Sequence, residues 1–163
     1  MILYIVRHAW ASHYGDPRWP DDSQRPLDDE GRKRFRKMAK LLAARGVAPG
    51  AIATSPLVRC RQTAELLAAA VRPEPTLVEL DALVPGSDLA ALVEWTAEQA
   101  KTHDEIAWVG HAPDVDRMTA ALAGGAGQLR MAKGAAAALR FDGPPEPGAG
   151  ELRWLVTAKI LGC

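Results

Sequence analysis

Cysteine is scarce in this chain, with only Cys60 and Cys163 among 163 residues. Two thiols without knuckle spacing make neither a disulfide framework nor a zinc-pinned fold, and a reducing compartment is expected. Net charge is lacking as well, because 20 basic residues cancel 20 acidic ones. Global charge therefore gives no reason for nucleic acid or an anionic membrane as partner. No apolar stretch is long enough to span a bilayer. The opening apolar run, residues 2–6, is broken at once by Arg7-His8 and is too short for the core of a signal peptide. A cytoplasmic protein is the expectation. No internal repeat and no compositional break divides the chain, so a single domain over residues 1–163 is expected, long enough to bury a core unaided. At 48% apolar and 25% charged residues, the composition is that of a folded domain and excludes a disordered or fibrous chain.

What charge there is lies unevenly. From Arg25 to Arg61 ten basic residues face three acidic ones, Asp28, Asp29 and Glu30. Such a field can draw in an anionic substrate or an acidic protein face, although for most of these residues a solvated helix face is explanation enough. Cys60 stands between Arg59 and Arg61, where positive charge can lower a thiol pKa; an ordinary helix cysteine is the plainer reading.

Residues 2–6 form a continuous apolar run, the pattern of a strand buried on both faces. The segment 9–26 has no period and reads as a loop, long enough to be functional. A helix follows, with Asp28 as N-cap, Asp29 and Glu30 near its positive end, Phe35, Met38, Ala39 and Leu42 on one stripe, and Gly46 as its stop. Residues 51–54 read as a strand. Ser55 can cap a helix over 56–71 with Pro56 at its first position, which places Arg59 in the first turn. A strand over 76–78, a helix over 88–101, a strand over 106–109 and a helix marked by Val115, Met118 and Leu122 continue the alternation. Segments 134–141 and 152–158 read as closing strands across a turn-rich stretch. This order predicts a three-layer α/β/α sandwich on a mostly parallel central sheet, with functional residues beyond the carboxyl ends of the strands.

Arg7-His8 directly follows one predicted strand and Gly110-His111 another, so both histidines belong at one sheet edge. Arg59 points to the same edge. Together they offer two guanidinium forks for phosphate oxygens, one nitrogen nucleophile and a second imidazole. Phosphoryl transfer needs charge stabilisation and an in-line nucleophile, which two arginines and a neutral imidazole can supply without Mg²⁺. Taken one at a time, a turn, a cap and a surface arginine explain these residues better than chemistry does.

The combination resembles a known family. Arg7-His8-Ala9, Ser55-Pro56-Leu57-x-Arg59-x-x-Gln62-Thr63-Ala64 and Gly110-His111 resemble, in order and spacing, the three motifs of the histidine phosphatase superfamily, which has the phosphoglycerate mutase-like fold. Arg25-Pro26-Leu27 followed by Gly31, Leu83-x-Pro85-x-x-Asp88 and His111-x-Pro113 resemble its small SixA-type phosphohistidine phosphatases. The resemblance implies that His8 is the nucleophile, that Arg7 and Arg59 bind phosphate, and that His111 hydrogen-bonds the transferring group. It implies no metal and no cofactor. Ala9 stands where Gly is commonest, and Trp10 and Ala11 replace the polar residues that phosphoglycerate mutases carry, which argues against mutase activity. Trp10 and Trp19 either wall the pocket or cover core.

The general acid is left open among Glu79, Asp81 and Asp88, or none; Asp88 is equally a helix N-cap. A phosphoester needs its leaving alkoxide protonated, whereas a phosphohistidine leaves as imidazole, so a site without a dedicated acid is expected to prefer P–N bonds. His8, His13, His103 and His111 show no H-x-x-x-H spacing and no compelling carboxylate partner for a metal, so metal catalysis is not expected. The expected substrate is phosphohistidine in a protein such as a phosphotransfer domain. The alternatives are a broad phosphomonoesterase acting on small phosphate esters and a non-catalytic phosphate-binding module.

Overall fold

The apolar run at the start of the chain becomes β1 (Ile2–Arg7), the fourth strand of a six-stranded sheet in the computed structural model, which describes residues 1–125 and 127–163. The elements that follow are α1 (Asp29–Ala43), β2 (Ala51–Thr54), α2 (Val58–Ala68), β3 (Thr76–Glu79), α3 (Leu89–Gln99), β4 (Glu105–Gly110), α4 (Asp114–Leu122), β5 (Ala136–Arg140) and β6 (Glu151–Val156). Across the sheet the strands run β3-β2-β4-β1-β5-β6. The first four are mutually parallel, and β5 and β6 close the sheet antiparallel. The mostly parallel three-layer sandwich expected from the sequence is therefore what forms.

Alternation along the strands sorts the core into two layers. Tyr4 and Val6 of β1 point to the side where Phe35, Met38 and Leu42 of α1 meet Cys60 and Leu67 of α2. Leu3 and Ile5 point to the other, among Leu92 of α3 and Val115, Met118 and Leu122 of α4. Trp108 of β4 is fully buried in that second layer, and its indole N–H donates to Thr96 Oγ1 at 2.9 Å, so its one polar atom is satisfied.

Most local signals hold. Asp28 caps α1, its Oδ1 accepting from Gly31 N at 2.5 Å, and Gly46 takes φ +90° just beyond the helix, a conformation glycine adopts without strain. The second helix starts two residues later than its Ser-Pro signal suggests. Ser55 Oγ accepts from Leu57 N at 3.4 Å in the turn that precedes the helix, and the N-cap position falls to Leu57, which makes no side-chain cap. The aperiodic stretch 9–26 is not wholly irregular: it holds a 3₁₀ turn, Asp22–Gln24, and Ala11 bridges Leu27. Among the described residues, no helix is long and apolar enough to cross a membrane.

Candidate active site

The register of the two central strands decides where the histidines go. Arg7 of β1 lies opposite Gly110 of β4, and His8 N donates to Gly110 O at 2.8 Å. The residues that follow, His8 and His111, therefore leave the carboxyl edge of the sheet side by side. Thr54 at the end of β2 pairs with Val109, so α2 starts from the same edge and carries Arg59 there in its first turn. One cleft of about 490 Å³ is lined by Arg7, His8, Arg59 and His111. All four residues singled out in the sequence are thus brought together.

His8 is buried, and its Nδ1 lies 2.7 Å from the Ala9 carbonyl oxygen. A proton on Nδ1 donates to that carbonyl and leaves the Nε2 lone pair free. Burial pushes the ring's pKa down to about 3; the Ala9 carbonyl opposes this and the nearby Arg59, Arg7 and Arg25 reinforce it. The imidazole is neutral at physiological pH, the form in which nitrogen can attack phosphorus. His111 is also held below its ordinary range, by burial first, with Asp114 opposing and Arg59 adding to the effect.

The arginines are held from behind. Arg7 Nη1 donates to Met131 O at 2.6 Å, and Met131 N in turn donates to Asp116 Oδ1 at 2.8 Å. Arg59 Nη1 donates to Asp22 O at 2.7 Å, and Nη2 lies 3.0 Å from Asp22 Oδ2. Among the described residues, Arg7 Nε, Arg59 Nε and both ring nitrogens of His111 are buried with no hydrogen-bond partner in the protein. Orphaned polar groups of this kind, the two arginine N–H donors and the one N–H and one acceptor nitrogen of a neutral imidazole, cost about 1–3 kcal/mol each unless a ligand satisfies them. Their convergence suits a tetrahedral oxyanion.

Two motif residues act on the frame of the cleft. Thr63 Oγ1 donates to Arg59 O at 2.7 Å and accepts from Ala9 N at 3.0 Å, tying α2 to the turn that carries His8. Gln62 Oε1 accepts from Leu27 N at 2.9 Å and anchors the end of the long loop.

The structure adds residues that sequence reasoning did not place in the site. Arg25 lines the cleft; its Nε donates to Asp22 Oδ1 at 2.7 Å and its Nη1 to Ser12 O at 2.6 Å. Asp22 thus joins Arg25 to Arg59. Burial alone would raise its pKa, but the Arg25 hydrogen bond and the charges of Arg59 and Arg25 outweigh that and hold it below the usual carboxylate range. Asp114, at the start of α4, accepts from Gly86 N at 2.9 Å, and its Oδ2 lies 3.0 Å from His111 Nε2, close but out of line for a hydrogen bond. Nothing in the aperiodic loop's spacing marks Asp22. The His111-x-x-Asp114 spacing at a helix entry was a legible signal.

None of the three acid candidates lines the cleft. Glu79 sits in an exposed ion pair with Arg61 at 3.5 Å, Asp81 opens the 3₁₀ turn Asp81–Leu83, and Asp88 caps α3 through Ala91 N at 3.1 Å. The tryptophans do not wall the cleft either. Trp10 packs against the first core layer with Arg34 stacked 4.0 Å over its ring, and Trp19 borders a separate depression near Arg18. Cys60 is fully buried, and burial pushes its thiol up to about 12 despite Arg59, so the neighbouring cations do not activate it. Among the described residues, no group of three or more His, Cys, Asp or Glu side chains is placed to hold a metal ion.

Comparison with known proteins gives relatives in sequence and in fold. The family model described as histidine phosphatase superfamily (branch 1) matches residues 3–84. An uncharacterised protein of a Picosynechococcus species is 37% identical over 127 residues, which is 77% of this chain and 74% of that one. Among solved structures, the protein histidine phosphatase SixA complexed with tungstate is 25% identical with a TM-score of 0.86, covering 99% of both chains. A SixA protein of Agrobacterium tumefaciens is 22% identical with a TM-score of 0.77, covering 96% of this chain and 97% of that one, and shares the fold.

Proposed function

The chain belongs to the histidine phosphatase superfamily, and from that premise we propose that it is a metal-independent phosphatase, one domain over residues 1–163, which hydrolyses phosphohistidine in proteins through a phosphohistidine intermediate on His8. The observation that carries this reading is a neutral, oriented His8 among three arginines in a cleft whose carboxylates are already engaged.

The reaction follows from those positions. Free N–H groups of Arg7, Arg59 and Arg25 take the equatorial oxygens of the phosphoryl group, and His111 supplies a further ring N–H. The Nε2 lone pair of His8 attacks phosphorus, the new P–Nε2 bond forms, and the substrate's P–N bond breaks. A substrate imidazole protonated on its second nitrogen departs neutral and needs no proton from the enzyme. Water then attacks phosphorus, the P–Nε2 bond breaks, the water's proton passes to the departing phosphate or solvent, and inorganic phosphate leaves. The proton stays on Nδ1, and its hydrogen bond to the Ala9 carbonyl fixes the ring throughout.

The preference for P–N over P–O bonds rests on the carboxylates. Asp22 is held ionised by two arginines and is a poor acid at neutral pH. Asp114 is tied to Gly86 N and set against His111. An alkoxide leaving group would find no ready proton there, whereas an imidazole requires none.

The experiment measures phosphate release in chelator by the wild type and by His8→Ala, from a phosphohistidine-bearing phosphotransfer domain and from an aryl phosphoester. Faster turnover of the phosphohistidine, lost in the variant, is the expected result. Preference for the ester would move the chain to the phosphomonoesterases, and phosphate binding without turnover of either would make it a binding module.

A further inference from the structure

The cleft is larger and more positive than one phosphoryl group requires. Five cations line its 490 Å³, Arg7, Arg25, Arg59, Arg117 and Lys133, against two carboxylates, Asp22 and Asp114. Both carboxylates are committed, Asp22 to Arg25 and Arg59 and Asp114 to Gly86 N beside His111. A phosphoryl dianion on the inner arginines therefore leaves positive charge uncompensated. That charge lies on Arg117 and Lys133, which are exposed and, among the described residues, make no ion pair and no side-chain hydrogen bond.

Their places in the fold fix their relation to the reacting groups. Arg117 is one helical turn beyond Asp114 on α4, so it rises from the same side of the cleft as His111. Lys133 immediately precedes Gly134, whose N–H donates to His8 O at 3.0 Å. The two cations thus belong to different segments of the chain, and both line the cleft from its exposed rim. Arg117 also borders the neighbouring depression together with Arg130 and Asp116.

We propose that Arg117 and Lys133 form a second anion subsite, which takes a carboxylate on the substrate protein beside its phosphohistidine. This deepens the phosphohistidine reading and rests on it. A carboxylate suits the site in charge, one negative unit against the uncompensated surplus, and in geometry, a planar guanidinium fork paired with a mobile ammonium. The cations sit at the solvent rim and not in the interior, so the effect falls mainly on association and KM and weakens with salt.

The test uses two peptides that carry a phosphohistidine flanked by glutamates or by glutamines, with phosphoramidate as a substrate too small to reach the rim. The wild type is expected to favour the glutamate peptide by about tenfold in kcat/KM, through KM, at low ionic strength. Joint Arg117→Ala and Lys133→Ala substitution is expected to erase that preference while phosphoramidate turnover changes by less than about threefold. Joint Arg117→Glu and Lys133→Glu substitution is expected to invert it. Equal kcat/KM for the two peptides, or a preference that survives the double alanine variant, would overturn the proposal. Selectivity for a second phosphate on small esters without selectivity between the peptides would also overturn it. Failure of the underlying reading looks different, as a lack of His8-dependent turnover of phosphoramidate. Affinities of the two peptides for the His8→Ala protein report the subsite independently of turnover.

Discussion

His8 owes its chemistry to one short contact and its surroundings. Burial first, and then the charges of Arg59, Arg7 and Arg25, keep the ring neutral far below the ordinary histidine range, while the Nδ1 contact with the Ala9 carbonyl opposes that shift and orients the ring. An NMR titration of the imidazoles should therefore find His8 uncharged down to at least about pH 5, and a midpoint near the usual value of about 6.5 would contradict the assignment. Asp22 is the residue on which the arginines depend. Asp22→Ala removes the partner of Arg25 Nε and Arg59 Nη2, and kcat/KM should fall by roughly tenfold to a hundredfold. Asp22→Asn keeps an acceptor oxygen and should recover much of that loss. A fall in Asp22→Asn as deep as in Asp22→Ala would instead make the negative charge itself necessary. Arg59→Lys gives up the fork that joins Asp22 to the cleft, and its kcat should drop by about 10²-fold with the fold intact by circular dichroism.

At the scale of elements, the cleft is held by bonds between segments that the sequence shows only as separate motifs. Thr63 on α2 joins Arg59 and the His8 turn, so Thr63→Val leaves the Ala9 N–H buried without an acceptor. That change should destabilise the protein by about 1–3 kcal/mol in urea and lower kcat, because the turn carrying the nucleophile loses its anchor. A stable variant with full activity would show that the tie is dispensable. Gly31 marks a second close approach. A Cβ there would meet the carbonyl oxygen of Trp10, where the loop crosses the start of α1. Gly31→Ala should cost about 1–3 kcal/mol, read as a lowered urea midpoint. The glycine of the Arg25-Pro26-Leu27 stretch is thus explained by backbone contact and has no part in chemistry.

At the scale of the whole molecule, the depressed pKa of His8 links stability to pH. Its folded value, about 3, lies below the unfolded one, so between the two the unfolded chain binds more protons. Stability from this group is full above about pH 6.5 and falls as pH drops through that window toward 3. His111 adds to the same trend and Asp22 acts lower still, as its carboxylate is protonated. Urea titrations from pH 7 to 4 should show a declining midpoint, with a shallower decline in His8→Asn; parallel slopes in the two proteins would refute the linkage. Much of this molecule was written in local sequence. The apolar run of β1, the stripe and Asp28 cap of α1 and the alternation of strand and helix each depend on near neighbours and the burial of one face, and they determined the layers, the parallel sheet and the edge at which Arg7, His8, Arg59 and His111 meet. Tertiary structure alone decided that Asp22 faces the cleft. Asp22 lies in a loop without periodicity, and only the folding back of that loop onto α2 brings it to Arg59, 37 residues away. Glu79, a candidate acid because Leu77-Val78-Glu79 resembles a pattern of larger family members, instead sits in an exposed ion pair with Arg61.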